Sequence, residues 1–236
     1  MASTQGPEVP ANLKARLEAT YDAIAVTYNK VFADENDPFR GKYTSQMLHF
    51  LQQNAPEKAS VLELGCGAGV PGTRMLLESK SPEIHVIGND FSSGQIDLAH
   101  QRLGKYEEAG RLEFKKGDMM SLEFPRESFD AAVGFYSIIH LPRDEQTELV
   151  NRVVKWLKPG GLLLANFDQK EFNNKVNSKW LDHEKGWAYW SGWGEEGSAK
   201  MVEEAGLNIL VKEVSRCETD ATFVWIIARK PWMGDR

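Results

Sequence analysis

The stretch Val61-Leu62-Glu63-Leu64-Gly65-Cys66-Gly67-Ala68-Gly69 decides the fold of this chain. An apolar run typical of a strand leads into a turn with three glycines, and Pro71 follows where a helix can begin. Glycine permits a tight turn and a close approach to a ligand, and a helix N-terminus presents unpaired N–H groups. The stretch therefore predicts a strand, a turn and a helix that together bind an anionic or polar ligand.

The chain after this stretch alternates short apolar runs with longer amphipathic segments, which is typical of a parallel sheet covered by helices. The predicted strands are residues 61–64, 85–89, 112–116, 131–135 and 162–167. The first four gaps are each long enough for a crossover helix, with helices expected at 75–79 and 93–103. The last runs, 209–214 and 223–228, are joined by a short polar segment and predict an antiparallel pair. The fold class is therefore α/β.

The N-terminal part of the chain reads as a helical cover. Within residues 13–53, Tyr21, Ala25 and Tyr28 recur at helical spacing, so one aromatic face is expected to lie on the sheet domain. The same spacing is also typical of simple packing. We assign residues 1–56 to this cover.

A second segment outside the alternation is residues 168–200, between the fifth strand and the final pair. It holds four of the seven tryptophans: Trp180, Trp187, Trp190 and Trp193. Such clustering in a loop-rich insertion is typical of a lid over an apolar ligand, and equally of a small core that pins the segment down. Residues 57–236 are expected to form one domain that carries this insertion.

The composition narrows the classes of function. The chain has 236 residues and a formal net charge of −6, with 42% hydrophobic residues. A mildly acidic chain lacks the broad positive field that holds nucleic acid or an anionic membrane, so neither is an expected partner. No apolar run approaches the length of a membrane span and the first residues are polar, so a cytoplasmic location is expected. A small molecule is the expected partner.

Acidic residues follow three successive predicted strands. Glu63 ends the first strand, Asp90 ends the second, and Asp118 follows the third. An acid at the end of the second strand is where ribose hydroxyls are usually bound, and Glu63 can accept a hydrogen bond from an ammonium group. Position 70 is Val70, so the turn departs from the Gly-x-Gly-x-x-Gly spacing of nicotinamide-binding proteins. The pattern predicts a pocket for a nucleoside with a cationic or zwitterionic tail.

Taken together, these motifs resemble those of the class I S-adenosylmethionine-dependent methyltransferases, and more narrowly the small-molecule branch related to ubiquinone-biosynthesis methyltransferases. The resemblance covers roughly residues 20–165 and is carried by residues 63–69, 86–92, 117–119, 129–141 and 157–161. It implies S-adenosylmethionine as the cofactor. It also implies a seven-stranded Rossmann-like methyltransferase sheet whose last strand is antiparallel, with helices on both faces, the N-terminal helical cover and the Trp-rich lid.

The resemblance also implies a cofactor site. Its members are Tyr28, Glu63, Gly65, Cys66, Gly67, Asp90, Phe91, Asp118, Met119 and Phe135. Asp90 would bind both ribose hydroxyls, Asp118 would accept from the adenine amino group, and Tyr28 would close over the cofactor from the first helix. Asn89 departs from the family pattern, which has an apolar residue before the acid. The Trp-rich insertion matches no general family motif, so the family gives no guide to the substrate.

Candidate residues for the acceptor side follow from their places in the chain. The expected substrate contacts are Tyr136, Trp187, Trp190 and Trp193. His140 is the histidine expected near a strand end in the pocket, where it would act as a base or form part of the wall. Asp168 and Asn166 lie at the end of the fifth strand, but no acid follows the fourth, so we expect no metal.

A thiol is our first interpretation of the methyl acceptor. A thiol needs little help to become a thiolate, whereas a hydroxyl needs a base. The layout of the chain resembles the fungal S-methyltransferases that act on dithiols of gliotoxin-type toxins. An O- or N-methyltransferase of secondary or quinone metabolism is the alternative. A nicotinamide-dependent oxidoreductase and a non-catalytic cofactor-binding protein are the alternatives from other classes.

Overall fold

The structure is a computed structural model that describes residues 9–33, 37–53, 57–216, 221–232 and 234. Its strands are β1 (Lys58–Leu64), β2 (Glu83–Asp90), β3 (Leu112–Lys116), β4 (Phe129–Gly134), β5 (Leu157–Asp168), β6 (Glu171–Asn177), β7 (Ala188–Trp193), β8 (Asn208–Arg216) and β9 (Thr222–Arg229). Its α-helices are α1 (Leu13–Phe32), α2 (Pro38–Gln52), α3 (Gly72–Leu77), α4 (Ser93–Glu108), α5 (Arg143–Trp156) and α6 (Gly194–Glu204). Within these residues, no helix has both the length and the apolar character that crossing a membrane requires.

Seven strands form one sheet in the order β3-β2-β1-β4-β5-β9-β8. The first five strands in the chain are parallel, whereas β9 runs antiparallel to both β5 and β8. The α/β fold and the antiparallel last strand are therefore confirmed. Because β4 lies next to β1, the connection after β3 crosses the sheet, and the order of strands reverses beside β1. A crevice at the carboxyl ends of the strands is where open α/β sheets bind ligands.

Helices cover both faces of the sheet. Buried residues of α2, α3 and α4 pack on one face around Val61 and Ile84 of the sheet. Those of α5 and α6 pack on the other face around Leu62 and Leu64. Adjacent residues of β1 thus enter opposite cores, as the two-residue period of a strand requires.

The connection between β3 and β4 differs from the expected crossover helix. It contains a 3₁₀ turn, Met119–Ser121, which the side chain of Asp118 caps by accepting from the Met120 N–H at 2.9 Å. Pro125 then interrupts the segment, and proline removes a helix-forming N–H donor. The gap is long enough for a helix, but its sequence does not support one.

Helix α1 lies at the carboxyl ends of the strands. Its residues Leu13, Leu17 and Tyr21 form a small core with Trp187 and Tyr189 of the 168–200 segment. The aromatic face predicted for the first helix therefore meets this segment as well as the sheet domain. Residues 1–8, 34–36 and 54–56 of the predicted cover lie outside the described residues.

The segment 168–200 is not loop-rich as predicted. Strands β6 and β7 pair antiparallel in a separate two-stranded sheet, and α6 begins at Gly194 within the segment. The side chains of β6 are mostly polar and exposed, so its sequence lacks the apolar alternation that signals a strand. This strand forms because it pairs with β7, and its local sequence does not indicate that pairing.

Candidate active site

The glycine-rich turn, residues 65–69, joins β1 to α3 in a backbone conformation that requires glycine. Gly65, Gly67 and Gly69 have φ angles of 69°, 55° and 74°. A Cβ atom on Gly65 would lie 2.4 Å from the Cβ of Ser137, and one on Gly69 would lie 2.4 Å from a methyl carbon of Leu103. Both the left-handed backbone and the close packing therefore exclude larger residues at Gly65 and Gly69.

Asp90 is fixed at the end of β2 by the turn that faces it. Its two carboxylate oxygens accept from the backbone N–H groups of Gly67 and Ser92, each at 2.9 Å. Burial raises the pKa of Asp90 to about 6, although these N–H groups oppose the rise. At neutral pH the carboxylate is thus mostly ionised, and it lines the main cavity.

Glu63 is a second buried acid on the other side of the glycine-rich turn. The Thr73 hydroxyl donates to Glu63 Oε2 at 2.6 Å. Burial raises the pKa of Glu63 to about 7, while the hydrogen bond from Thr73 and the charge of Arg40 act in the opposite direction. A group with this pKa binds a cation readily, because a neighbouring positive charge favours its ionised form.

Two adjoining cavities lie between α1 and the sheet. The main cavity spans about 700 Å³ and the second about 390 Å³, each including space that is open to solvent. They share Tyr28, Gly65, Gly67 and Phe135. Of the residues predicted to bind the cofactor, those that line at least one cavity are Tyr28, Glu63, Gly65, Cys66, Gly67, Asp90, Phe91, Asp118, Met119 and Phe135. The structure thus brings together every residue of the predicted cofactor site, and Glu63 and Cys66 lie on the second cavity.

The rim of the main cavity carries an ion-pair cluster that sequence analysis missed. Lys14 of α1 reaches both Asp118 and Glu145 with nitrogen–oxygen distances of 2.8 Å. Asp118 also caps the turn that follows β3, so one carboxylate ties together α1 and this turn. The pairs are partly exposed, and each is therefore worth little in stability.

His140 lies in the cavity wall between α1 and β7. Its Nδ1 is 2.7 Å from the backbone oxygen of Tyr189, and its Nε2 is 2.9 Å from the hydroxyl oxygen of Tyr21. Burial lowers the pKa of His140 to about 4, although the contact with Tyr189 opposes this. The ring is therefore neutral at physiological pH, and both nitrogens have partners.

The tryptophans predicted to contact substrate are placed differently from one another. Trp187 is buried beneath Arg16 of α1, whose guanidinium lies 4.2 Å from the ring centroid. Trp193 packs on α5 and donates its indole N–H to the backbone oxygen of Arg143 at 3.1 Å. Neither lines the main or the second cavity.

Two further tryptophans contact residues that line the main cavity, and Tyr136 lines it. Trp190 contacts His140 with a centroid separation of 5.9 Å, and Trp180 contacts Tyr21 at 5.4 Å. Tyr136 lines the cavity directly, with the Arg40 guanidinium 4.6 Å from its ring centroid. Its N–H donates to the side chain of Asn166, so that amide, considered above as a metal ligand, has a structural partner.

Arg40 is a functional candidate that sequence analysis missed. It lies near the start of α2, pairs with Asp37 at 2.7 Å, and lines the second cavity together with Glu63. The second cavity thus has a cation and an acid in its wall. No local sequence signal marks Arg40, because its position depends on how α2 packs against α3 and β5.

Gln95 is the other missed candidate. Its side chain is 1% exposed and lines the main cavity, and its Oε1 accepts from Asn29 of α1 at 2.8 Å. Its Nε2 has no hydrogen-bond partner among the described residues. A buried amide donor without a partner is costly, so a ligand oxygen in the cavity would complete this site.

Comparison with known proteins places the glycine-rich turn in a known family. Residues 61–161 match the family model described as "Methyltransferase domain". This part of the chain is therefore similar to methyltransferase domains. The match agrees with the class I, S-adenosylmethionine-dependent type that the sequence motifs resemble.

Curated relatives of the methyltransferase domain include a sterol 24-C-methyltransferase of Candida albicans. It is 33% identical over 121 residues, which are 50% of this chain and 31% of that protein. A demethylmenaquinone methyltransferase of Leptospira interrogans is 29% identical over 184 residues, which are 77% and 69% of the two chains. This chain spans about a third of the length of the first sterol methyltransferases that it matches.

Solved structures share the fold of this chain over nearly its whole length. The [4+2]-cyclase SpnF aligns with a TM-score of 0.71 at 18% identity, covering 96% of this chain and 98% of its own. The 1,6-didemethyltoxoflavin-N1-methyltransferase of Burkholderia thailandensis aligns with a TM-score of 0.67 at 19% identity, covering 96% and 92%. At these identities the likeness concerns the fold alone.

Proposed function

We propose that this chain transfers the methyl group of S-adenosylmethionine to a small-molecule acceptor. The observation that carries the proposal is that the glycine-rich turn and Asp90 face each other in the main cavity, beneath α1. In the reaction, the bond between the sulfonium and its methyl breaks as the acceptor atom X bonds to that carbon. The products are S-adenosylhomocysteine and X–CH₃, and an X–H acceptor also releases a proton.

The residues of the two cavities suit this cofactor. Glu63 and Arg40 offer an acid and a cation in the second cavity, which match the ammonium and carboxylate of an amino-acid tail. Asp90 offers carboxylate oxygens to ribose hydroxyls, and the unpartnered Nε2 of Gln95 offers a donor to an oxygen of the same ligand. Each of these four side chains thus has a complementary group on the cofactor.

The chain itself contributes positioning and exclusion of water. The sulfonium already activates the methyl group, so the protein has to hold the acceptor in line with the bond that breaks. Positioning of this kind can lower a barrier by about 7–11 kcal/mol. Helix α1, fixed by Lys14 and by the contact between Tyr21 and His140, covers the cavity and keeps water away.

The size of the cavity supports a compact acceptor. The cofactor itself would occupy part of the 700 Å³, and α1 closes the space above it. The related proteins named above act, by their names, on a sterol, on demethylmenaquinone and on didemethyltoxoflavin. A compact, partly aromatic metabolite fits the cavity and the last of these names, whereas a sterol is neither compact nor aromatic.

The state of His140 supports an acceptor that needs no strong base. A neutral imidazole whose pKa is about 4 takes up a proton poorly, and its Nε2 is already in contact with Tyr21. A thiol, which ionises readily, is therefore our first choice, and a dithiol of the gliotoxin type is the narrower form of that choice. The names of the relatives favour carbon, oxygen or nitrogen acceptors instead, so these are the alternatives.

A methyl-transfer assay tests the proposal. The protein is incubated with S-adenosylmethionine labelled in its methyl group and with thiol, phenol and amine acceptors in turn. We expect labelled product with at least one acceptor, and fastest with the thiols. A protein that binds S-adenosylmethionine but transfers no label to this panel or to a metabolite extract would contradict the proposal and favour a non-catalytic binding protein.

A further inference from the structure

The positions of the protons between Tyr189, His140 and Tyr21 can be worked out from the contacts. The backbone oxygen of Tyr189 can only accept, so Nδ1 of His140 carries a hydrogen. A neutral imidazole then has an unprotonated Nε2, which can only accept. The hydroxyl of Tyr21, 2.9 Å away, must therefore donate to this nitrogen.

This arrangement sets what Tyr21 offers to a ligand. With its one hydrogen directed at His140, the Tyr21 oxygen presents only lone pairs to the cavity that both residues line. The surrounding rings are Tyr28, Phe91 and Trp180, with centroids 5.4–5.8 Å from that of Tyr21. The Tyr21 oxygen is thus a fixed hydrogen-bond acceptor set in an aromatic wall.

We infer that the Tyr21 oxygen binds the methyl acceptor by accepting a hydrogen bond from its X–H group. The inference rests on the proposed function and names its substrate class: an acceptor whose reacting atom is a heteroatom that carries hydrogen. The bond would hold the acceptor near the cofactor in its un-ionised X–H form and direct a lone pair of X away from Tyr21. An acceptor that ionises before transfer gives its proton to solvent and loses this bond as it does so. His140 acts through Tyr21 as a positioning residue, and Tyr189 fixes His140 in turn.

The inference also distinguishes acceptor from product. A phenol or thiol has one X–H, and methylation removes it. The product therefore loses the hydrogen bond to Tyr21 while it keeps the aromatic contacts. An acceptor that reacts at an alkene carbon would gain nothing from this oxygen.

A binding experiment with a matched pair of probes tests this. Phenol and anisole differ by replacement of the hydroxyl hydrogen with methyl, and the protein saturated with S-adenosylhomocysteine is titrated with each. Tryptophan fluorescence reports binding, because Trp180 lies beside Tyr21. The variants are Tyr21→Phe, which keeps the ring, and the control Tyr106→Phe, which removes a tyrosine hydroxyl on α4 that lines neither cavity.

We expect the wild type and Tyr106→Phe to bind phenol about three- to tenfold more tightly than anisole, the range of one hydrogen bond. In Tyr21→Phe the ratio should fall to about one, because the ring contacts remain. Equal binding of the probes by the wild type, no binding of phenol, or an unchanged ratio in Tyr21→Phe would overturn the inference. If S-adenosylhomocysteine itself fails to bind, the proposed function fails first.

The ring of His140 gives a second readout, which tests the direction of its hydrogen bond with Tyr21. Long-range proton–nitrogen NMR distinguishes a protonated from an unprotonated ring nitrogen. We expect His140 to carry its hydrogen on Nδ1, with the Nε2 signal shifting in Tyr21→Phe because its donor is gone. A hydrogen on Nε2 would make Tyr21 the acceptor from His140 and would overturn the inference.

Discussion

Replacement of Asp90 by asparagine should weaken cofactor binding without destabilising the protein. The change keeps the shape of the side chain but removes the charge that ribose hydroxyls would meet. Hydrogen bonds to a charged group contribute about 1.5–3 kcal/mol, so the Kd for S-adenosylhomocysteine should rise roughly 10- to 150-fold.

The same substitution should leave the stability of the ligand-free protein unchanged or raise it. The pKa of Asp90 rises from 3.8 to about 6 on folding, because burial disfavours the charged form. At about 1.4 kcal/mol per pH unit, the buried charge costs about 3 kcal/mol at neutral pH. Asparagine removes this cost but places an N–H₂ against one of the two backbone donors, Gly67 or Ser92. These effects oppose each other, so we expect a Tm equal to or above that of the wild type.

Calorimetric titration and a thermal melt measure the two quantities on the same sample. Asp130→Asn is the matched control, because Asp130 is also a buried acid of the sheet but pairs with Lys158 and lines neither cavity. An affinity for S-adenosylhomocysteine within twofold of the wild type in Asp90→Asn would refute the role given to this carboxylate. A large fall in both affinity and Tm would point to a role in folding instead.

Three further predictions concern other residues of the site. Gly65→Ala should abolish cofactor binding or folding, since the new Cβ would lie 2.4 Å from the Cβ of Ser137. Gly110 has a similar φ of 67° but open space around it, so Gly110→Ala should lower the free energy of unfolding by only about 1 kcal/mol in a denaturant melt. Affinity for S-adenosylmethionine should rise as the pH goes from 6 to 8, because Glu63, with a pKa of about 7, ionises in this range and then attracts an ammonium group. In calorimetry, Glu63→Gln should flatten this pH dependence, and an unchanged pH dependence in the variant would show that another group causes it. His140→Ala should slow methyl transfer to a thiol or amine less than tenfold in steady-state assays, whereas complete loss with a bound acceptor would indicate a hydroxyl that needs this base.

The sequence was sufficient to predict the seven-stranded sheet and to name ten residues that the structure brings together around the two cavities. Parallel strands buried on both faces read as apolar runs, and the glycines of residues 65–69 are required by the backbone itself. Acidic residues at the ends of the strands lie close together because the carboxyl ends of parallel strands meet at one edge of the sheet. These features depend on local sequence and on a general rule of topology, so they can be predicted before any contact is known.

The remaining features depend on contacts between distant parts of the chain. Tyr21 and His140 are 119 residues apart in sequence, and neither one alone predicts the other as a partner. Arg40 reaches the second cavity only because α2 packs against α3 and β5. The polar strand β6 forms only because β7 pairs with it. Side-chain chemistry of this kind is set by tertiary packing, which a single sequence does not reveal.

The central claim is that the two cavities bind S-adenosylmethionine, and calorimetric titration tests it most directly. The wild-type protein is titrated with S-adenosylmethionine, with S-adenosylhomocysteine and with a nicotinamide cofactor as the comparison. We predict micromolar binding of the first two and none of the third. Binding of the nicotinamide cofactor alone would contradict the account and would favour an oxidoreductase built on the same glycine-rich turn.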